Sequence, residues 1–117
     1  MQVQAVMKSV RMSAQKMREV VRQIQGLPAA QAQAVLAAVP RKSARLVAKT
    51  LDSAIGNAED LKRHKAEYKN LNVPGLWIKE AVAGTASTIK RFTPKARGSA
   101  GPILKRHCHI KIVLSDE

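Results

Sequence analysis

At 117 residues, 45% of them apolar, the chain has the length and composition of one folded domain. Twenty-one Lys and Arg stand against eight Asp and Glu, a net charge of +13 that points to a polyanionic partner, nucleic acid first and an anionic membrane second. The longest apolar run, Ala34 to Val39, is far too short to span a bilayer, and the single cysteine, Cys108, excludes an internal disulfide. The first residues lack the basic-then-apolar order of a signal peptide. We expect a soluble, cytoplasmic protein with no membrane partner; an organellar protein freed of its transit peptide would read the same way.

Residues 3–10 alternate weakly and suit a short strand. A helix follows. Ser13 is placed to cap it, Met17, Val20, Val21 and Ile24 fall at i, i+3, i+4 and i+7, and Gly26 stops it. Pro28 suits the first position of a second helix, where Ala32, Val35, Leu36 and Val39 repeat the spacing until Pro40 ends it. A third helix is expected from about Lys42 to Glu59, with Leu46, Val47, Leu51, Ala54, Ile55 and Ala58 as its apolar stripe. Gly56 inside it costs on the order of 1 kcal/mol against Ala, which close contact with another backbone would offset. Arg41, Lys42, Arg45 and Lys49 crowd the start of this helix, against its dipole, as if an external anion were near. Residues 61–75 are polar and basic and read as a loop with a ragged helical extension.

Strand signals resume at Leu76 to Ala83 and at Ile103 to Leu114. In the latter, Cys108, Ile110, Ile112 and Leu114 share one face, and His107, His109, Lys111 and Val113 the other. These two strands should pair antiparallel. The 19 residues from Gly84 to Pro102 between them far exceed an ordinary hairpin loop. Continued as a two-stranded ribbon, each arm would reach about 30 Å beyond the sheet, at about 3.3 Å per residue. From Ala81 to Ser115 the chain carries seven Lys/Arg and no acid, and between Gly84 and Pro102 only Ile89 and Phe92 are large and apolar. Such a ribbon cannot hold itself by apolar burial and calls for a partner that encloses it.

No catalytic or cofactor chemistry is legible. His107 and His109 alternate with Cys108 across a strand and no second ligand cluster completes a tetrahedral metal site. No acid or amide is identifiable to orient a His base beside Cys108, so we expect this residue to pack in the core. The glycines at 98 and 101 do not link a strand to a helix as a phosphate loop requires. We expect no enzyme, no metal, no cofactor and no small-molecule substrate.

Three ordered blocks carry a resemblance: Val10 to Gly26, Arg41 to Glu59 and Ile89 to Asp116, the last containing Lys90-Arg-Phe-Thr-Pro-Lys-Ala-Arg-Gly98 and Ile103-Leu-Lys-Arg106. With their spacers they cover nearly the whole chain, which resembles the bacterial form of the large-subunit ribosomal protein twenty-two family. The resemblance implies an α+β fold, three helices on a small antiparallel sheet with a long protruding β-hairpin, in a single domain over 1–117 with the hairpin at about 84–102. It also implies a place in the large ribosomal subunit, with the globular part on its outer face, the hairpin threading ribosomal RNA, and a role in subunit assembly. The hairpin tip (Lys90, Arg91, Phe92, Thr93, Pro94, Lys95, Ala96 and Arg97) would line the peptide exit tunnel, within reach of the nascent peptide. The chain departs from the family pattern in a longer, more basic loop at 60–75, in a less acidic approach at 81–87, and in His107-Cys108 where Thr-Ser is common.

On this reading Lys90, Arg91, Lys95 and Arg97 neutralise phosphates along the ribbon, and Phe92 stacks on a base. Arg11, Lys16, Arg18, Lys105 and Arg106 anchor the globular part and the ribbon's root. Large-subunit ribosomal RNA and neighbouring ribosomal proteins are the expected partners. The rival reading is an architectural DNA-binding protein with a basic β-ribbon arm.

Overall fold

A computed structural model describes all 117 residues of the chain. In chain order it comprises strand β1 (Gln2–Val10), helices α1 (Ala14–Ile24), α2 (Ala29–Ala38) and α3 (Lys42–His64), and strands β2 (Trp77–Thr85), β3 (Ile89–Pro94), β4 (Ala100–Lys105) and β5 (Cys108–Ser115). The expected α+β class and the helix-on-sheet architecture are what is observed. Strands β1, β5 and β2 form an antiparallel sheet in that order, and β3 pairs with β4 as a separate two-stranded ribbon.

The core follows from the periodicities. Met17, Val20, Val21 and Ile24 of α1, Val47, Leu51, Ala54 and Ala58 of α3, and Cys108, Ile110, Ile112 and Leu114 of β5 are all buried in one cluster of 25 residues. Its apolar side chains supply the main drive to fold. Ser13 caps α1, its Oγ accepting from the Lys16 N–H at 3.4 Å. Gly26 (φ +79°) turns the chain out of α1 in the left-handed region, where glycine carries no Cβ penalty. The backbone beyond it is tied to β2: Gly26 N–H donates to Ile78 O at 2.9 Å, and Ala29 N–H to Leu76 O at 3.0 Å.

Four expectations change. Pro28 sits one place before α2, as its N-cap residue, because it bridges to Trp77 at the start of β2. Helix α3 continues five residues past Glu59, through a last turn of Lys62, Arg63 and His64 that suits the negative end of its dipole. Gly56 touches no second backbone: it is exposed, and nothing lies within 4 Å of a Cβ built on it. The long strand expected from Ile103 to Leu114 is two strands. Ile103 to Lys105 belong to the ribbon, Arg106 and His107 form a break, and the sheet strand starts at Cys108.

The ribbon leaves the sheet at this break. The whole molecule measures 67 × 28 × 16 Å with a radius of gyration of 17.7 Å, against about 13 Å for a compact chain of this length. None of the 25 core residues lies between Ala83 and Cys108. Pro94 and Pro102 cannot donate to another strand, which blunts the ribbon's edges against self-association.

Candidate nucleic-acid interface

Two basic surfaces meet at the ribbon's root. The first is an open groove of about 730 Å³ between the start of α1 and the junction of the ribbon with the sheet. Arg11, Lys16, Arg18, Lys105 and Arg106 all line it, so the five residues assigned to the globular anchor lie together although they come from distant parts of the chain. No acid lines the groove, whereas the other large cleft, of about 560 Å³, holds Asp60 and Glu80 beside Lys79 and Lys111.

The local structure explains how the groove holds its charge. Helix α1 opens at Ala14 with no acid in its first turn, so its N-terminal N–H groups and positive dipole end face the same space as Lys16. Arg18 is fixed by a 3.0 Å bond from its Nε to Ala83 O on β2, which leaves its remaining guanidinium donors for another acceptor. Lys42 Nζ donates to Arg11 O at 3.5 Å, bringing the basic start of α3 beside the groove. Arg41 is not part of this surface: it pairs with Glu19, so one of the cations read as facing an external anion has an internal partner.

The second surface is the ribbon. Lys90, Arg91, Phe92, Pro94, Lys95, Ala96 and Arg97 are exposed and Thr93 is half-buried. The turn at its end is closed by Lys95 N–H to Ser99 O at 2.7 Å and Ser99 Oγ to Ala96 O at 2.9 Å. Arg97 (φ +60°) and Gly98 (φ +69°) both take the left-handed conformation there, which is uncommon for Arg. The ion pairs of the fold join Met1 to Asp116 and Glu117, Arg41 to Glu19 and His64 to Asp60. None involves Arg11, Lys16, Arg18, Lys90, Arg91, Lys95, Arg97, Lys105 or Arg106. These cations repel one another without internal compensation, an arrangement that a polyanion relieves.

The sequence reading missed the polar lining of the groove. Ser13, Gln15, Thr85, Thr88 and His107 are part of it. No local motif announces them, because the groove exists only where α1 packs beside the ribbon's root. The two histidines flanking Cys108 have different surroundings. His109 Nδ1 accepts from Ser9 N–H at 3.0 Å and holds Ser9 (φ +54°) in the bulge that ends β1. His107 Nδ1 is buried without a partner at the edge of the groove. No cluster of three or more His, Cys, Asp or Glu is placed to hold a metal.

A family model described as "Ribosomal protein L22p/L17e" matches residues 5–115. The chain belongs to this ribosomal protein family. It is 49% identical over 116 residues to a protein of Opitutus terrae named "Large ribosomal subunit protein uL22", covering 99% of this chain and 96% of that one. Proteins of the same name from Akkermansia muciniphila and Methylacidiphilum infernorum are each 44% identical over 117 residues, all of this chain and 98% and 96% of theirs. The family resemblance carried by the three sequence blocks is thereby confirmed. Nothing in these relationships supports the architectural DNA-binding alternative.

Proposed function

We propose that this chain is a structural, non-enzymatic constituent of the large ribosomal subunit, acting in the cytoplasm with ribosomal RNA and neighbouring ribosomal proteins as its partners. We further propose that it folds as one ribosomal domain over 1–117 and holds RNA at two places. Arg11, Lys16, Arg18, Lys105 and Arg106 grip phosphates in the groove at the root. Lys90, Arg91, Lys95 and Arg97 neutralise phosphates along the ribbon, Phe92 stacks on a base, and the tip from Lys90 to Arg97 lines the exit tunnel, where the nascent peptide passes. Membership of the family supports this reading. The observation that carries it is the convergence of five unpaired cations, with no acid, at the base of a ribbon that has no core of its own.

The mechanism is electrostatic and geometric. Each Lys or Arg that meets a phosphate releases condensed counterions, and donors fixed by the fold, such as Arg18, set the register of the RNA. Small residues at 96, 98, 99 and 100 let RNA backbone approach the ribbon closely. The ribbon gains from RNA walls the enclosure that its own side chains cannot supply.

The test is co-sedimentation of tagged full-length protein with salt-washed ribosomal subunits, alongside titration against large-subunit ribosomal RNA and duplex DNA of equal length. Stoichiometric recovery with the large subunit and a preference for the structured RNA support the reading. Equal or tighter binding to duplex DNA, with protein left at the top of the gradient, would overturn it.

A further inference from the structure

In an antiparallel ribbon, residues directly opposite each other share a face, and successive residues along a strand alternate between faces. The register pairs Ile89 with Lys105, Lys90 with Leu104, Arg91 with Ile103, Phe92 with Pro102, Thr93 with Gly101 and Pro94 with Ala100. The two faces are therefore chemically different. One carries Arg91 and Lys105 among Ile89, Ile103 and Thr93, and Lys95 joins them: its stem lies over Gly101, so close that a Cβ built there would meet Lys95 Cε at 2.5 Å and Cγ at 2.9 Å. The other carries Lys90 and Leu104 nearest the root and, beyond them, only Phe92, Pro102, Pro94 and Ala100. This outer half has no charge. Phe92 on it is 72% exposed, more than any other large apolar side chain in the protein.

We propose that this uncharged face is a stacking platform for an unpaired RNA base, with Phe92 as its plane and Pro102 beside it across the ribbon, while the opposite face meets phosphate. The proposal rests on the ribosomal-RNA reading above and places base stacking on this face alone, with the phosphate contacts of Arg91, Lys95 and Lys105 on the other. The charge pattern selects the occupant. No acid occurs from Ala81 to Ser115, so the nearest neighbour of the ribbon is a polyanion, and the flat apolar surfaces of a polynucleotide are its bases. Phenylalanine and proline are stiff, so little side-chain freedom is lost when a base settles on them. Lys90 on the same face and Arg97 at the turn stand on either side of the platform to meet the phosphates that flank the stacked base, while Lys95 stays with the opposite face.

The experiment compares full-length wild type with Phe92→Ala, Phe92→Leu, Phe92→Trp and Arg91→Ala. Affinity for large-subunit ribosomal RNA is measured across a salt series, and circular dichroism confirms that each variant is folded. Phe92→Ala and Phe92→Leu should each weaken binding by about 10-fold and leave the log–log salt slope unchanged. Phe92→Trp should bind as well as wild type, and its new indole should be quenched by RNA beyond any change Trp77 shows in wild type. Arg91→Ala should instead make the slope shallower by about 0.8, between the duplex and single-strand coefficients. Wild-type affinity in Phe92→Ala, full rescue by Phe92→Leu (an aliphatic contact with protein) or an unquenched indole would each overturn the platform while leaving the ribosomal reading intact. Failure of folded wild type to bind the RNA at all would overturn both.

Discussion

Cys108 stands at the point where the ribbon becomes sheet, and its side chain is fully buried. Burial raises its thiol pKa above the ordinary 9.0, and Arg18 nearby offsets part of the rise. The thiolate is the reactive form, so native protein should resist iodoacetamide at pH 8, and denatured protein should label readily. Fast, complete labelling of native protein would show that the β5 root opens. The sign of the pH effect follows from the same shift. The unfolded chain releases this proton near pH 9 and the folded chain holds it to higher pH, so stability should fall as pH rises past about 9. Cys108→Ala should lose that part of the decline in an alkaline melting series. The packing of Cys108 was legible in the sequence, because alternation places it with Ile110, Ile112 and Leu114. The roles of His107 and His109 were not. They depend on a bulge at Ser9, a hundred residues earlier in the chain, and on a groove that forms only in the folded state.

Among the elements, the helices were the most legible, because each buries one stripe and is bounded by its own punctuation. The end of α3 was missed because past Ala58 only Leu61 continues the apolar stripe, among charged residues, and Lys62, Arg63 and His64 complete the last turn at the negative end of the dipole. The division of the last strand was missed for a different reason. Lys105, Arg106 and His107 carry no Gly, Pro or Asn to signal a turn, and the break arises where the chain changes pairing partner, from β3 to β2 and β1. Gly56 makes a prediction at this scale. It is exposed in mid-helix with open space around the missing Cβ, so Gly56→Ala should stabilise the protein by roughly 0.5–1 kcal/mol, seen as a higher melting temperature. Unchanged or lower stability would mean that the site is not the open helical position described. A higher melting temperature with weaker RNA binding would show that RNA backbone occupies that space. Asn57 beside it serves the fold, since its Nδ2 donates to Gln4 O at 3.0 Å and ties α3 to the outer strand of the sheet.

The whole molecule is a folded body with an arm that contributes nothing to the core. Deleting Lys90 to Arg97 should therefore leave the helical far-UV signal and cooperative unfolding in place, while RNA affinity falls and its salt slope becomes shallower. Loss of helical signal in that deletion would contradict the division into body and arm. With about eight phosphates engaged, the intact protein should show a log–log salt slope of about −6 to −7, and the deletion, short of four cations, roughly half of it. The presence of the arm was legible in composition and in the length of the acid-free stretch, but its bounds were not, since Gly84 and Thr85 pair within the sheet and Ile103 to Lys105 within the ribbon. The groove at its root was not, since it depends on tertiary packing. The order of strands in the sheet has a consequence for biosynthesis. The central strand, β5, is the one made last: β1 is made first, β2 and the arm follow, and neither β1 nor β2 has a neighbouring strand in the sheet until residues 108–115 are available to lie between them. If the arm binds RNA as proposed, it emerges before the sheet that positions its root can close, and closure of the sheet is the event that sets the arm and the groove in their final relation.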